Sequence, residues 1–114
     1  MARWIGTSQE RRAEQFLRNA GLRFEARNIS YRGCEIDLIM REHNTWVCVE
    51  VKYRRSDSHG VAAETINAAK IRRMGHALER YLKEHKINPT MAPMRLDAVV
   101  IDDNRIEWIK NIGV

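Results

Sequence analysis

No apolar stretch in this chain approaches the roughly 18 residues that a membrane-spanning helix needs. The first residues, Met1 to Glu10, lack the apolar run of a secretory signal and turn polar by Thr7. A cytoplasmic location, with no membrane partner, is therefore expected. Cysteine is scarce: there are two, Cys34 and Cys48, and with four scattered histidines they form no zinc-ligand spacing. In a reducing compartment both should be free thiols. Internal repeats, linker-like composition and low-complexity tracts are missing as well. At 114 residues the chain then fits one domain, residues 1–114, with little room for a second.

What is present is a mixture. Apolar residues supply 44% of the chain, enough for one core, and the 31% that are charged are interspersed among them, which argues against disorder. The net charge is +5, and a small basic protein leans toward polyanions such as nucleic acid or a lipid surface. The surplus is localised. Between Lys52 and Lys86, nine Lys and Arg face four Asp and Glu, a difference equal to the whole net charge.

Local pattern gives the elements. Thr7 and Glu10 read as a capping box, followed by Ala13, Phe16, Leu17 and Ala20 at helical spacing and Gly21 as a stop. That predicts a helix over 8–20. Leu22 to Asn28 reads as a short strand, and Tyr31, Arg32 and Gly33 as a turn. Cys34 to Met40 and the valine-rich Trp46 to Tyr53 are strands close enough in sequence to pair antiparallel. Asn67 is a candidate cap for a long helix reaching about His85, with Ile71, Met74, Ala77, Leu78, Tyr81 and Leu82 as its apolar stripe. After a break holding both prolines, 95–101 and 106–112 read as two final strands. The order is αβββαββ, an α/β mixed sheet packed by helices.

Strand parity then singles out a few polar residues. Val47, Val49 and Val51 share one face of their strand, and Cys48, Glu50 and Lys52 share the other, with Glu50 and Lys52 roughly 6.5–7 Å apart. In the preceding strand, Cys34, Ile36, Leu38 and Met40 form an apolar face, while Glu35 and Asp37 point away. On this parity the two cysteines lie on opposite faces. Half-buried acids that repel one another favour a cation between them, and magnesium suits one or two carboxylates plus a substrate phosphate. Lys52 adds a compact positive charge able to hold a phosphate. The alternative is plain: Glu50 and Lys52 form a solvated ion pair on an exposed face, with Asp37 another surface acid. Glu10 is likewise open between a helix cap and a site acid, and Glu35 between a structural acid and one that approaches the metal.

Two segments carry a family resemblance. Gly33-Cys34-Glu35-Ile36-Asp37-Leu38-Ile39, followed by Val49-Glu50-Val51-Lys52-Tyr53-Arg54-Arg55, resembles the signature of the bacterial YraN-like family. These are small proteins of the PD-(D/E)XK nuclease superfamily, most similar to archaeal Holliday junction resolvases. Gly6, Glu10, Ala13, Phe16, Leu17 and Gly21 resemble its first helix, Gly60 and Lys70 its loop and second helix, and Arg95 to Val100 its late strand. Cys34 stands where many relatives have glycine.

The resemblance implies a restriction-endonuclease-like mixed β-sheet flanked by helices. It implies Asp37 and Glu50 as ligands of Mg²⁺ (or Mn²⁺), completed by the Val51 carbonyl. Lys52 is then the motif lysine, and Glu10 a first-helix acid in a second shell or on a second metal. It also implies a homodimer, since a junction presents paired scissile strands, although no residue marks an interface.

Arg54 and Arg55 directly follow Lys52, and Lys70, Arg72 and Arg73 open the second helix. Arg72, His76, Arg80 and Lys83 make one stripe along it. These residues are the candidate phosphate contacts. No segment reads as a base-reading helix, so nucleic-acid shape or branching is expected to be recognised rather than sequence. The leading expectation is a Mg-dependent endonuclease-like protein acting on DNA, in recombination or repair. The rival is a nucleic-acid-binding module without catalysis that serves a DNA-processing partner.

Overall fold

The computed structural model describes residues 3–54, 66–103 and 105–113, with side chains from Ser8 onward. Helix α1 (Arg3–Asn19) leads into β1 (Arg23–Tyr31), β2 (Cys34–Glu42) and β3 (Thr45–Tyr53). Helix α2 (Ala68–Glu84) crosses to β4 (Met94–Ile101), and β5 (Ile106–Ile109) ends the sheet. The five strands lie in the order β1-β2-β3-β4-β5. All neighbours are antiparallel except β3 and β4, which are parallel. A parallel pair needs a crossover connection, and α2 supplies it. The expected α/β class and αβββαββ order are what the chain forms. No helix among the described residues is long and apolar enough to cross a membrane.

Each face of the sheet has its own core. Leu38, Met40, Val47, Val49, Val99 and Ile101 pack with Ala13 and Leu17 of α1. Ile36, Ile39 and Cys48 pack with Met74, Leu78 and Leu82 of α2. Full burial of such side chains contributes about 1.5–3 kcal/mol each. Of the apolar stripe expected on α2, Met74, Ala77, Leu78, Tyr81 and Leu82 are buried and Ile71 only partly, and Asn67 caps that helix by accepting from Lys70 N at 2.9 Å. Gly33, at φ 88°, completes the two-residue turn between β1 and β2, where the left-handed backbone favours glycine.

Several boundaries differ from expectation; β2, for one, runs on to Glu42, two residues past Met40. Helix α1 begins at Arg3, so Thr7 lies inside it and not at its cap. The local capping signal yields to continued helix upstream, and Glu10 is released for other partners. Strand β1 extends to Tyr31 because it pairs with β2 up to the turn. Strand β5 stops at Ile109, and the following segment returns to β4 through Ile112 N donating to Leu96 O at 2.7 Å.

That return is pinned by Asp97, which is fully buried. Its carboxylate accepts from Arg95 Nε and Nη2, Trp108 Nε1 and Asn111 N, all at 2.9 Å. Arg95 also donates to Glu42 Oε1 at 2.6 Å. A buried acid with this many donors is structural, because its acceptor capacity is used up.

Candidate functional site

The site lies where strand pairing gives out. The β2–β3 ladder runs from Glu42 with Thr45 to Leu38 with Val49 and goes no further. The next residues outward are Asp37 and Glu50. Asp37 Oδ2 instead accepts from Val51 N at 2.8 Å, so a carboxylate takes over from a backbone carbonyl. On the other side, β1 pairs Arg27 with Leu38 and Ile29 with Ile36, skipping Asn28, whose φ is 55°.

The alternation of β2 resets at this residue. Leu38 and Met40 face α1, whereas Cys34 and Ile36 pack against the α2-side core. The single apolar face expected for Cys34, Ile36, Leu38 and Met40 is therefore split. Cys34 and Cys48 consequently share a face, contrary to the parity expectation, although both thiols are free. Burial raises the Cys34 thiol pKa, while the charges of Lys70 and Arg73 pull it back. Cys34 thus sits on the site's side of the sheet.

Glu50 is only 5% exposed. Its Oε2 lies 3.2 Å from Lys52 Nζ and its Oε1 lies 3.6 Å from Lys70 Nζ. Glu50 and Lys52 do share a face, but the pair is buried at its acidic end and not a solvated surface bridge. Lys70 comes from the first turn of α2, held there by the Asn67 cap. Both lysines reach a carboxylate that would otherwise be uncompensated.

Asp37 carries the largest perturbation in the site. Burial, then the charge of Glu50, and also that of Glu10, push it from 3.8 up to about 7, against the pull of the Val51 N–H. Burial likewise raises Glu10, and Glu35 adds to that, while hydrogen bonds to Asp37 and Asn28 work the other way. With its amide nitrogen turned toward Glu10, Asn28 donates to Oε1 at 2.6 Å and lies 3.3 Å from Oε2. One turn on, Glu14 anchors the helix to β1 through Arg27 at 2.7 Å, and pairs within the helix with Arg18 at 2.8 Å.

Glu10, Asp37 and Glu50 therefore form a row of acids with Lys52 and Lys70 at its far end. Glu35 is exposed and enters only as a nearby charge. Asn28 was not foreseen. An asparagine in a strand is a hint, because asparagine tolerates positive φ better than most residues.

The basic residues divide. Lys70 joins the site. Arg54 is partly buried at the end of β3, where its N–H donates to Ile101 O at 2.8 Å, and Arg55 lies outside the described residues, as does Gly60. Arg72 and Arg73 are exposed on α2. The stripe of Arg72, His76, Arg80 and Lys83 is exposed too, but Arg80 is paired with Glu84 at 3.3 Å and His76 lies 3.7 Å from Glu79.

Among the described residues, no three Asp, Glu, His or Cys side chains converge on one metal-holding point. Asp37 is turned to Val51, and Glu50 to its lysines. The donor set is nonetheless all hard oxygen, half-buried and mutually repelling. That is the chemistry a hard divalent cation fits, with Asp37 and Glu50 as first candidates.

Residues 9–101 match the family described as "Uncharacterised protein family UPF0102". A UPF0102 protein of Serratia proteamaculans is 42% identical over 109 residues, covering 96% of this chain and 93% of the relative. One from Shewanella oneidensis is 40% identical over 105 residues, covering 92% and 94%. A third, from Yersinia pseudotuberculosis, is 41% identical over 106 residues, covering 93% and 91%. These matches extend over nearly the whole chain, which belongs to the UPF0102 family.

Proposed function

We propose that this protein is a metal-dependent nuclease-type domain that hydrolyses phosphodiester bonds in DNA, with branched DNA as its preferred form. One observation carries the reading: a buried glutamate and a half-buried aspartate on adjacent strands, crowded enough to push Asp37 up to about 7, stand beside two lysines. Asp37, Glu50 and the Val51 carbonyl are the groups that would hold Mg²⁺ or Mn²⁺. Such an ion would supply positive charge to polarise the phosphate and acidify a water molecule.

The chain's own residues do the rest. Lys52 is poised to stabilise charge that builds on the phosphate oxygens. Lys70 neutralises Glu50 in the resting protein and is placed to take a phosphate oxygen once Glu50 turns to a cation. Glu10 adds negative charge beside Asp37 and so favours its protonated form in the resting protein. A symmetric homodimer in the cytoplasm, serving recombination or repair, is the setting this reading favours.

A binding module without catalysis is the second reading. It is favoured by Glu50 being already paired with two lysines, so that its charge is balanced without a metal. A cleavage assay on branched, flapped and linear DNA, with and without Mg²⁺ or Mn²⁺, separates the two. Cleavage that needs the ion and is lost in Asp37→Asn supports the nuclease. Binding without cleavage, together with a flat calorimetric Mg²⁺ titration in the presence of DNA, supports the module.

A further inference from the structure

The acid row does not end in bulk surface. Lys70, Arg73, Ala77 and Arg80 follow one another at spacings of three, four and three, so they share a face of α2. This face borders a groove of about 210 Å³ between α2 and the β1–β2 turn, with Arg32, Gly33 and Cys34 on its opposite wall. Ala77 is buried and small, and a Cβ built on Gly33 would meet nothing within 4 Å. The groove therefore leaves room for a chain to come close.

Its charge is of one kind. Among the described residues, neither Arg32 nor Arg73 has an ion-pair partner. Arg80 is held in place, with its guanidinium 4.6 Å from the centre of the Tyr31 ring and Glu84 at 3.3 Å. Tyr31 donates to the same Glu84 at 2.7 Å, which fixes the far end of the wall. Continuity with the acid row is direct: Cys34 lines the groove and feels the charges of Lys70, Glu50, Arg73 and Asp37.

We infer that Lys70, Arg73, Arg80 and Arg32 form a cationic track that carries one strand's phosphodiester backbone from the acid row into the groove beside the β1–β2 turn. The inference rests on the nucleic-acid reading given under Proposed function and adds the path of the strand. From Lys70 to Arg80 the helix advances about 15 Å, at about 1.5 Å per residue. At about 3.4 Å of rise per nucleotide in a duplex strand, that is about four nucleotides. Contacts to phosphate position the substrate without reading bases.

The test is fluorescence anisotropy with labelled linear and four-way-branched DNA, in EDTA, over a series of salt concentrations. The parent is compared with Arg32→Gln/Arg73→Gln. A control, Arg23→Gln/Lys110→Gln, removes two charges at the opposite end of the sheet, beside His43 and Glu42. Thermal unfolding checks that all three fold. The track variant should bind both probes more weakly, and its slope of log K against log salt should be shallower by about 1.8, at about 0.9 per lost phosphate contact. The control should keep the parent's slope. If the parent binds and the track variant keeps its slope, the strand runs elsewhere and the track is wrong, while the nuclease reading stands. If the parent binds neither probe, the nucleic-acid reading fails and takes the track with it.

Discussion

Replacing Asp37 by Asn should make the metal-free protein more stable, because the aspartate is held in an unfavourable state. Its folded pKa of about 7 lies above the ordinary 3.8. For an acid shifted upward, the unfolded chain releases a proton that the folded protein keeps. Stability is then fully present below about pH 4 and is lost as pH rises through about 7. Each pH unit inside that window is worth about 1.4 kcal/mol, so Asp37 alone should cost the parent about 3 kcal/mol between pH 5 and pH 8. Glu14 and Glu42 titrate in the opposite sense. Burial raises Glu14 but Arg27 and Arg18 outweigh it, and Arg95 lowers Glu42, so their windows lie below pH 5.

In Asp37→Asn the amide oxygen can still accept from Val51 N, and the charge is gone. Urea unfolding in EDTA at pH 5, 6, 7 and 8 measures the effect. The parent midpoint should fall across the series, by about 1 M or more for a urea slope of about 2 kcal/mol/M. The variant should be nearly flat and clearly more stable at pH 8. Adding Mg²⁺ should raise the parent's midpoint at pH 8 and leave the variant's unchanged. Equal pH slopes in the two proteins, or a variant less stable at pH 8, would refute the crowding on which the site argument depends.

Three other perturbations separate the remaining roles. Glu50→Gln should act oppositely to Asp37→Asn and destabilise by about 3 kcal/mol, because it leaves Lys52 and Lys70 facing each other beside a buried amide. Urea unfolding at pH 8 reads that difference in sign. Lys52→Ala should keep Mn²⁺ binding by calorimetry while cleavage of branched DNA slows by about 10²-fold or more, the signature of a contact made in the transition state. Asp97→Ala should cost about 3–5 kcal/mol in thermal unfolding, because Trp108 Nε1 and Asn111 N lose their acceptor and Arg95 is left with Glu42 alone. Its divalent-ion affinity should survive at temperatures where it stays folded.

Strand β3 was legible from sequence because its ladder is regular over the residues that matter. Period-two alternation placed Glu50 and Lys52 together and the valines opposite them. The same rule failed on β2, since the reset at Asp37 is set by Asn28 and Val51 on neighbouring strands, and no composition signals it. Helix α2 was readable from Asn67 onward because cap, stripe and length agree. At α1 a sound local signal, Thr7 with Glu10, lost to a helix that begins earlier, so Glu10 passed from cap to acid row. The charged stripe on α2 was visible as periodicity. Which of its members are already partnered, and that Arg32 faces Arg73 across a groove, depends on β1–β2 packing that lies some 40 residues away in sequence.

The abrupt end of the β2–β3 ladder also bears on the order of folding events. Asp37 and Glu50 are joined by a hairpin with a two-residue turn, a contact of short sequence separation that closes early. Lys70 arrives only when the crossover helix docks and β4 pairs with β3, a much longer loop closure. The hairpin therefore brings the two acids together before one of their neutralising lysines is in place. Part of their repulsion then falls on the folding barrier and not only on the native state. Above pH 7, Asp37→Asn should speed refolding more than it slows unfolding, and a pair of chevron plots at pH 8 would show the folding arm moving. The residues that equip this protein for a cation are, on this view, also a brake on its own assembly.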